Sequence, residues 1–380
     1  MKAIHFSSWL AILVLGLSRF GGLAPNAAVA PQITALTQNG QLTFSSVPGY
    51  TNYAIEWAPT VNGPWTNSWE QLRLLQPTVK TITVSVPMFF RIAARGTPVT
   101  VPLDMEYVPR GEFLMGDVIY TNGSAGLLHT VLVSAFMMDR FEVTQALWGD
   151  VVAWARTRGY QFDSPGSADA ADHPIAEINW YDAVKWCNAR SEREGLQPAY
   201  YTDGKQATAY RTGALDLTNG CVAWTASGYR LPTEAEWEKA GRGGLPNQHQ
   251  TWENMDSNYV VSIFGKMANF WNSGDPYDNG TTPVGFYNGF QTIDGVDMKN
   301  AYGLYDMAGN AAELCWDRVG AYTSDRQEDP RGPDAGALRI VRGGSWYDDP
   351  LNLRVAVRQS QYPHVSALDV GFRCVRGAGL

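Results

Sequence analysis

The sequence predicts an irregular, loop-rich α+β domain preceded by a small all-β sandwich module. Residues 31–97 contain short β-forming runs, Gln41–Phe44, Tyr53–Trp57, Thr81–Val86 and Phe89–Ile92, separated by Gly, Pro and Asn turns. Beyond them, apolar residues recur at helical spacing in only three places, and residues 245–304 are rich in Gly, Asn and Tyr with hardly any period. The 38 glycines and 14 tryptophans supply the turns and the bulky fillers that a domain with little regular structure needs.

The first thirty residues combine Lys2, an apolar run from Trp9 to Leu17 and Ala28-Val29-Ala30, the layout of a secretory signal. That run is too short to cross a bilayer, and no later stretch is longer, so no membrane span is expected. The module then occupies 31–97, and a linker with Pro98 and Pro102 occupies 98–103. The larger domain, 104–378, opens with strands at Met105–Val108, Glu112–Met115 and Thr130–Val133. Leu147, Trp148, Val151, Val152 and Ala155 lie on one face of a helix that starts near Thr144. Asn179 caps a second helix, with Asp182 in its first turn, Ala183, Val184 and Cys187 inward and its end near Gly195. Thr233-x-x-Glu236 is a capping box for a short third one. Residues 196–227 form an insertion between the second and third.

The balance of 29 Lys+Arg against 37 Asp+Glu, with no basic run, argues against nucleic acid as a partner. His129, His173, His249 and His364 are scattered without metal spacing, as surface or turn residues would be. The four cysteines, Cys187, Cys221, Cys315 and Cys374, are an even number, and export would make disulfides the default state; spacing alone leaves three pairings open.

The stretch Arg339–Arg376 has strand chemistry at both ends, at Arg339–Val341 and Val370–Val375, around an exposed polar middle after Gly343-Gly344. Together with Gly228–Gly244 (GYRLPTEAEWEKAGRGG) and Asn300–Asp317 (NAYGLYDMAGNAAELCWD), it resembles the formylglycine-generating enzymes, or sulfatase-modifying factors, over about 103–376. Three separated motifs in the family's order carry this resemblance. It implies a C-type lectin-like fold. The first module is weakly similar to fibronectin type III domains.

The resemblance implies a calcium ion on Asp306, Gly309, Ala311 and Glu313, and a second beginning at Asn269 and Phe270, with Asp275 or Asp278 completing it. Two carboxylates and free carbonyls around a glycine turn suit such a hard cation. It also implies a Cys187–Cys374 disulfide, and the joint loss of the family's other one at Gly241 and Val355. Cys221 and Cys315 are then left to each other. The family's oxidase activity uses copper(I) on two cysteine thiolates just after the Gly-Gly-Ser turn. Here Ser345 matches the family's active-site serine, Asp348 stands where the first thiolate would be, and no cysteine follows before Cys374. Ala312 replaces an aromatic residue of the family's motif. Copper is therefore not expected. A related branch that forms sulfoxides with iron on three histidines carries a helical domain absent from this sequence.

The reading is thus an exported, secreted or periplasmic scaffold, steadied by calcium. It would bind a protein, peptide or glycan through Trp346, Tyr347, Asp348, Asp349, Arg354 and Arg358. The alternative is an oxidoreductase of the same superfamily.

Overall fold

The protein is described by a computed structural model that covers residues 33–36, 42–44, 52–58, 89–95, 101–117, 127–243, 267–277, 279–290, 295 and 297–378. The signal layout, the Thr81–Val86 run, His249 and Asp278 lie outside the described residues. The chain divides into two compact units, Met1–Val47 with Asn52–Arg95, and Pro48–Thr51 with Gly96–Leu380. In the first, β1 (Ile33–Leu36) pairs antiparallel with β2 (Leu42–Phe44), and β3 (Asn52–Ala58) pairs antiparallel with β4 (Phe89–Arg95) in continuous register from Asn52↔Arg95 to Ala58↔Phe89.

The second unit is a set of small sheets joined by long loops. β5 (Met105–Val108) and β6 (Gly111–Met115) follow one another but enter different sheets. β6 pairs with β7 (His129–Val133), which also takes the short β10 (Gln327–Glu328), whereas β5 pairs with β8 (Phe136–Asp139). The largest sheet orders β12 (Gln359–Gln361), β11 (Arg339–Arg342), β9 (Ala312–Arg318) and β13 (Val370–Gly371). The single strand expected over Val370–Val375 is instead two. β13 lies parallel to β9, the chain crosses at Phe372–Cys374, and β14 (Val375–Gly377) joins β8 in another sheet.

Three α-helices are found among the described residues, and local signals place each. α1 (Gln145–Arg156) is capped by the Thr144 hydroxyl, which accepts the Leu147 N–H, and buries Trp148, Val151, Val152 and Ala155. In α2 (Trp180–Arg193) Asn179 accepts the Asp182 N–H, and nearly every residue is buried because helix, sheet and insertion enclose it. The Thr233–Glu236 capping box opens α3 (Glu234–Gly241). No helix among the described residues is long and apolar enough to cross a membrane.

β9 separates two cores. By the strand's period of two, Ala312, Leu314 and Trp316 face a cluster with α1, α2 and the insertion, whereas Cys315 faces a second with Trp237, Met307 and Ile340. Arg339 lies 3.7 Å from the Trp180 ring centroid, and its guanidinium donates to the Leu217 and Trp316 carbonyls, fastening the insertion to the sheet.

Under α3, Asp317 is buried and accepts the Glu234 N–H at 2.8 Å. Burial, reinforced by the Glu234 carboxylate, pushes the Asp317 carboxyl up to about 8. The folded value lies above the unfolded one, so the folded state binds the proton more tightly. The associated stability is complete below pH ~4 and is lost as pH rises through about 8. Between pH 6 and 9 wild-type stability should fall by on the order of 2 kcal/mol from this group, and Asp317→Asn should remove most of that fall. Urea melts at the two pH values test it, and an equal fall in both proteins would show that Asp317 is not the group.

Candidate functional site

The loop after β11 is held from inside. Ser345 is fully buried; its hydroxyl lies 2.9 Å from Asp348 Oδ2 and 2.8 Å from Asp369 Oδ2, and accepts the Tyr347 N–H. Asp348 accepts the Ser345 N–H on Oδ2, and on Oδ1 the Asn352 amide at 3.1 Å and the Gln359 amide at 2.8 Å. Its carboxylate thus closes the turn and links it to β12. The Trp346 N–H donates to the Asn310 carbonyl, and the Trp271 N–H donates to the Asp348 carbonyl at 3.0 Å, which brings in a second loop.

The side chains turned outward from this frame are aromatic. Trp271 and Tyr347 are 42% and 59% exposed. Their ring centroids lie 5.3 Å apart with planes at 85°, and Trp346 lies 5.3 Å from Tyr347 at 68°. Asp349 and Leu351, two and four positions after Tyr347, are exposed as well. Trp271 had no signal beyond a large aromatic in a Gly- and Asn-rich loop. Two expected members do not join. Arg354 is buried and paired with Asp117, and Arg358 is paired with Glu234 at 2.6 and 2.7 Å and lies over Tyr322. Both guanidinium groups point into the domain, where they pair with buried carboxylates.

Behind this face lies a buried acidic group. Asp306, at φ +55°, accepts the Gly285 N–H at 2.6 Å. Glu142, which the sequence did not single out, lies beside it: its Oε1 accepts the Ala311 N–H, and its Oε2 is buried without a hydrogen-bond partner among the described residues. Burial pushes Asp306 up to about 6, and burial together with the Asp306 carboxyl pushes Glu142 well above the usual carboxylate range. Glu313 is oriented differently. Arg373 grips both its oxygens at 2.6–2.8 Å, and the Trp237 indole N–H donates to Oε2 at 2.7 Å.

Asn269 is fully buried; its amide donates to the Gly280 carbonyl, and its Oδ1 has no partner among the described residues, nor do Thr282 Oγ and Asn310 Nδ2. The Phe270 carbonyl accepts the Ser273 N–H, and Asp275 accepts from Ser273, Tyr277 and Tyr287. Among the described residues no three His, Cys, Asp or Glu side chains form a ready metal cluster. His129 and His173 are buried rather than at the surface, His129 against Tyr322 and His173 on the Thr281 hydroxyl.

The family model described as "Sulfatase-modifying factor enzyme 1-like domain" matches residues 94–378. The chain belongs to that family. Similar sulfatase-modifying factor relatives include the chaperone protein LppX of Paenibacillus barcinonensis, 30% identical over 73% of this chain and 90% of that protein. Another is a formylglycine-generating enzyme of Streptomyces coelicolor, 31% identical over 72% of this chain and 89% of the enzyme. Among solved structures, Treponema denticola variable protein 1 superposes with a TM-score of 0.54 at 27% identity, covering 72% of this chain and 94% of that one.

Within this sulfatase-modifying factor domain no two of the four cysteines are bonded to each other in the structure. Cys187 and Cys374 sulfurs lie 3.6 Å apart in the first core. The expected Cys221–Cys315 bridge does not form. Cys221 packs on the Trp316 side of β9 with its sulfur on the Thr218 hydroxyl, whereas Cys315 faces the other core and donates to the Glu313 carbonyl. Neighbouring positions of a strand face opposite ways, so a bridge would have to pass through the sheet. Gly241 and Val355, to which the resemblance assigns the lost second disulfide, face each other: a Cβ on Gly241 would stand 2.8 Å from Val355 Cγ2.

Proposed function

We propose that this protein is an exported binding scaffold of the sulfatase-modifying fold, steadied by calcium, which presents the Trp271–Trp346–Tyr347 face to an extracytoplasmic ligand. The observation that carries this reading is Asp348. It stands where the family resemblance puts the first thiolate, and its oxygens hold the turn through Ser345, Asn352 and Gln359. A hard carboxylate saturated in this way is a poor copper(I) ligand, and no cysteine lies between Cys315 and Cys374. The relatives' names include both an enzyme and a chaperone, so membership alone does not select catalysis.

Calcium is supported by oxygens. Asn269 Oδ1 is buried with no hydrogen-bond partner among the described residues, and Glu142 Oε2 has only the Asp306 carboxyl beside it, an arrangement that needs a proton, a cation or water. Glu142 and Asp306 would hold one ion, with Glu313 kept back by Arg373, and Asn269 and the Phe270 carbonyl another. Export rests on Lys2, the Trp9–Leu17 run and Ala28–Ala30.

The test is metal content and oxygen uptake of protein purified without chelator. Calcium, no transition metal, and no oxidation of a Cys-x-Pro-x-Arg peptide are expected, with the melting temperature falling by about 5 °C in EDTA. Copper that survives dialysis, together with oxidation of the peptide cysteine, would overturn the scaffold reading in favour of an oxidoreductase.

A further inference from the structure

Three segments meet at the aromatic face: 267–277 through the Trp271 N–H on the Asp348 carbonyl, 343–353, and 359–369 through Gln359 on Asp348 and Asp369 on Ser345. Together they carry four carboxylates, Asp275, Asp348, Asp349 and Asp369, and neither lysine nor arginine. The next two arginines, Arg354 and Arg358, are drawn inward by Asp117 and Glu234. Asp349 is exposed, and its carboxylate does not cap the short 3-10 turn that follows it.

The Trp271 and Tyr347 rings, at right angles, make a corner rather than a flat platform. Such a corner, on a segment that also carries the exposed Asp349 two positions after Tyr347, attracts a cation: the ring faces are electronegative, and no lysine or arginine of these segments competes. Among the described residues of these three segments an anionic ligand would find no counter-charge. Leu351 and Leu368, on two of the same segments, are exposed as well, giving a side-chain-bearing chain more to contact than a free small cation would use.

We propose that this face takes an arginine- or lysine-bearing segment of a partner protein, the cationic head lying against Trp271 and Tyr347 and countered by Asp349. This deepens the scaffold reading and rests on it. Titration calorimetry of the full chain with an alternating Arg-Gly dodecapeptide tests it, with the citrulline-Gly peptide as its neutral isostere. The Arg peptide should bind saturably and the citrulline peptide not. Trp271→Ala or Tyr347→Ala should each weaken binding about tenfold without lowering the melting temperature, since both rings are solvent-exposed. Asp349→Asn should weaken it several-fold and flatten the salt dependence, whereas Asp325→Asn, an exposed acid elsewhere, should change nothing. Wild-type affinity in both Tyr347→Ala and Trp271→Ala, or a loss in Asp325→Asn as large as in Asp349→Asn, would mean that only the bulk charge of −8 is at work and would overturn the proposal. So would binding of the citrulline peptide or a neutral oligosaccharide at this face. A protein that neither oxidises the Cys-x-Pro-x-Arg peptide nor binds the Arg peptide refutes this inference alone; one that oxidises it refutes the scaffold reading.

Discussion

Replacing Arg373 with alanine should destabilise the larger domain by about 3–5 kcal/mol, a large part of the stability of an ordinary domain. Arg373 is fully buried at the crossover between β13 and β14. Besides gripping Glu313, it donates to the main-chain carbonyls of Asp139, Arg140, Tyr305 and Asp306. One side chain thus joins the start of the Asp306 loop, the end of β8 and β9. Removing it leaves the Glu313 carboxylate buried with only the Trp237 N–H, and takes a donor from each of four carbonyls, of which that of Arg140 keeps the Tyr305 N–H. Neutralising the acid as well, in Arg373→Met with Glu313→Gln, should recover a substantial part of the loss, because the uncompensated charge is the larger cost. Urea denaturation of the three proteins measures this. A single mutant within about 1 kcal/mol of wild type would mean that water reaches Glu313 and the pair is not structural.

Gly309→Ala should cost about 3 kcal/mol or more, for a reason that composition does not reveal. Its φ is +81°, and a Cβ there would stand 2.1 Å from the Asn269 carbonyl oxygen, an atom that cannot swing aside as a side-chain tip can. That carbonyl accepts the Asn310 N–H, and the Asn310 carbonyl accepts from Trp346. Displacement there would pass directly to the aromatic face. Gly274 separates the two contributions: its φ is +78° but nothing lies within 4 Å of its Cβ position, so Gly274→Ala should cost only about 1 kcal/mol. Denaturant midpoints give the stabilities, and near-ultraviolet circular dichroism should change in Gly309→Ala and not in Gly274→Ala. Equal costs would place the penalty in the backbone angle and dismiss the collision.

What the sequence disclosed follows the range of the interactions involved. The caps Thr144, Asn179 and Thr233 and the buried stripe of α1 act within a few residues, and the structure has them where local spacing puts them. The break between β13 and β14 was not legible. Val370–Val375 is apolar enough for one strand, and only the pairing with β9 on one side and β8 on the other divides it. Arg354 and Arg358 sit in a polar stretch and read as exposed; their direction is set by Asp117 and Glu234, more than a hundred positions away. Glu142 had one faint local sign, an acid between Phe141 and Val143 just ahead of a helix cap, but its neighbours Asp306 and Ala311 are equally remote. For the Cys221–Cys315 pairing, counting left a remainder, and the two faces of β9 then separated it.

The turn from Ser345 to Leu353 is fixed by main-chain groups and by the inward side chains Ser345, Asp348 and Asn352, while the exposed Tyr347, Asp349 and Leu351 contribute little to holding it. Inheritance can therefore treat the two sets differently. Codons for the inward set are tied to folding; those for the outward set are free to drift or to be selected, and a lineage could exchange one ligand for another there without rebuilding the domain beneath.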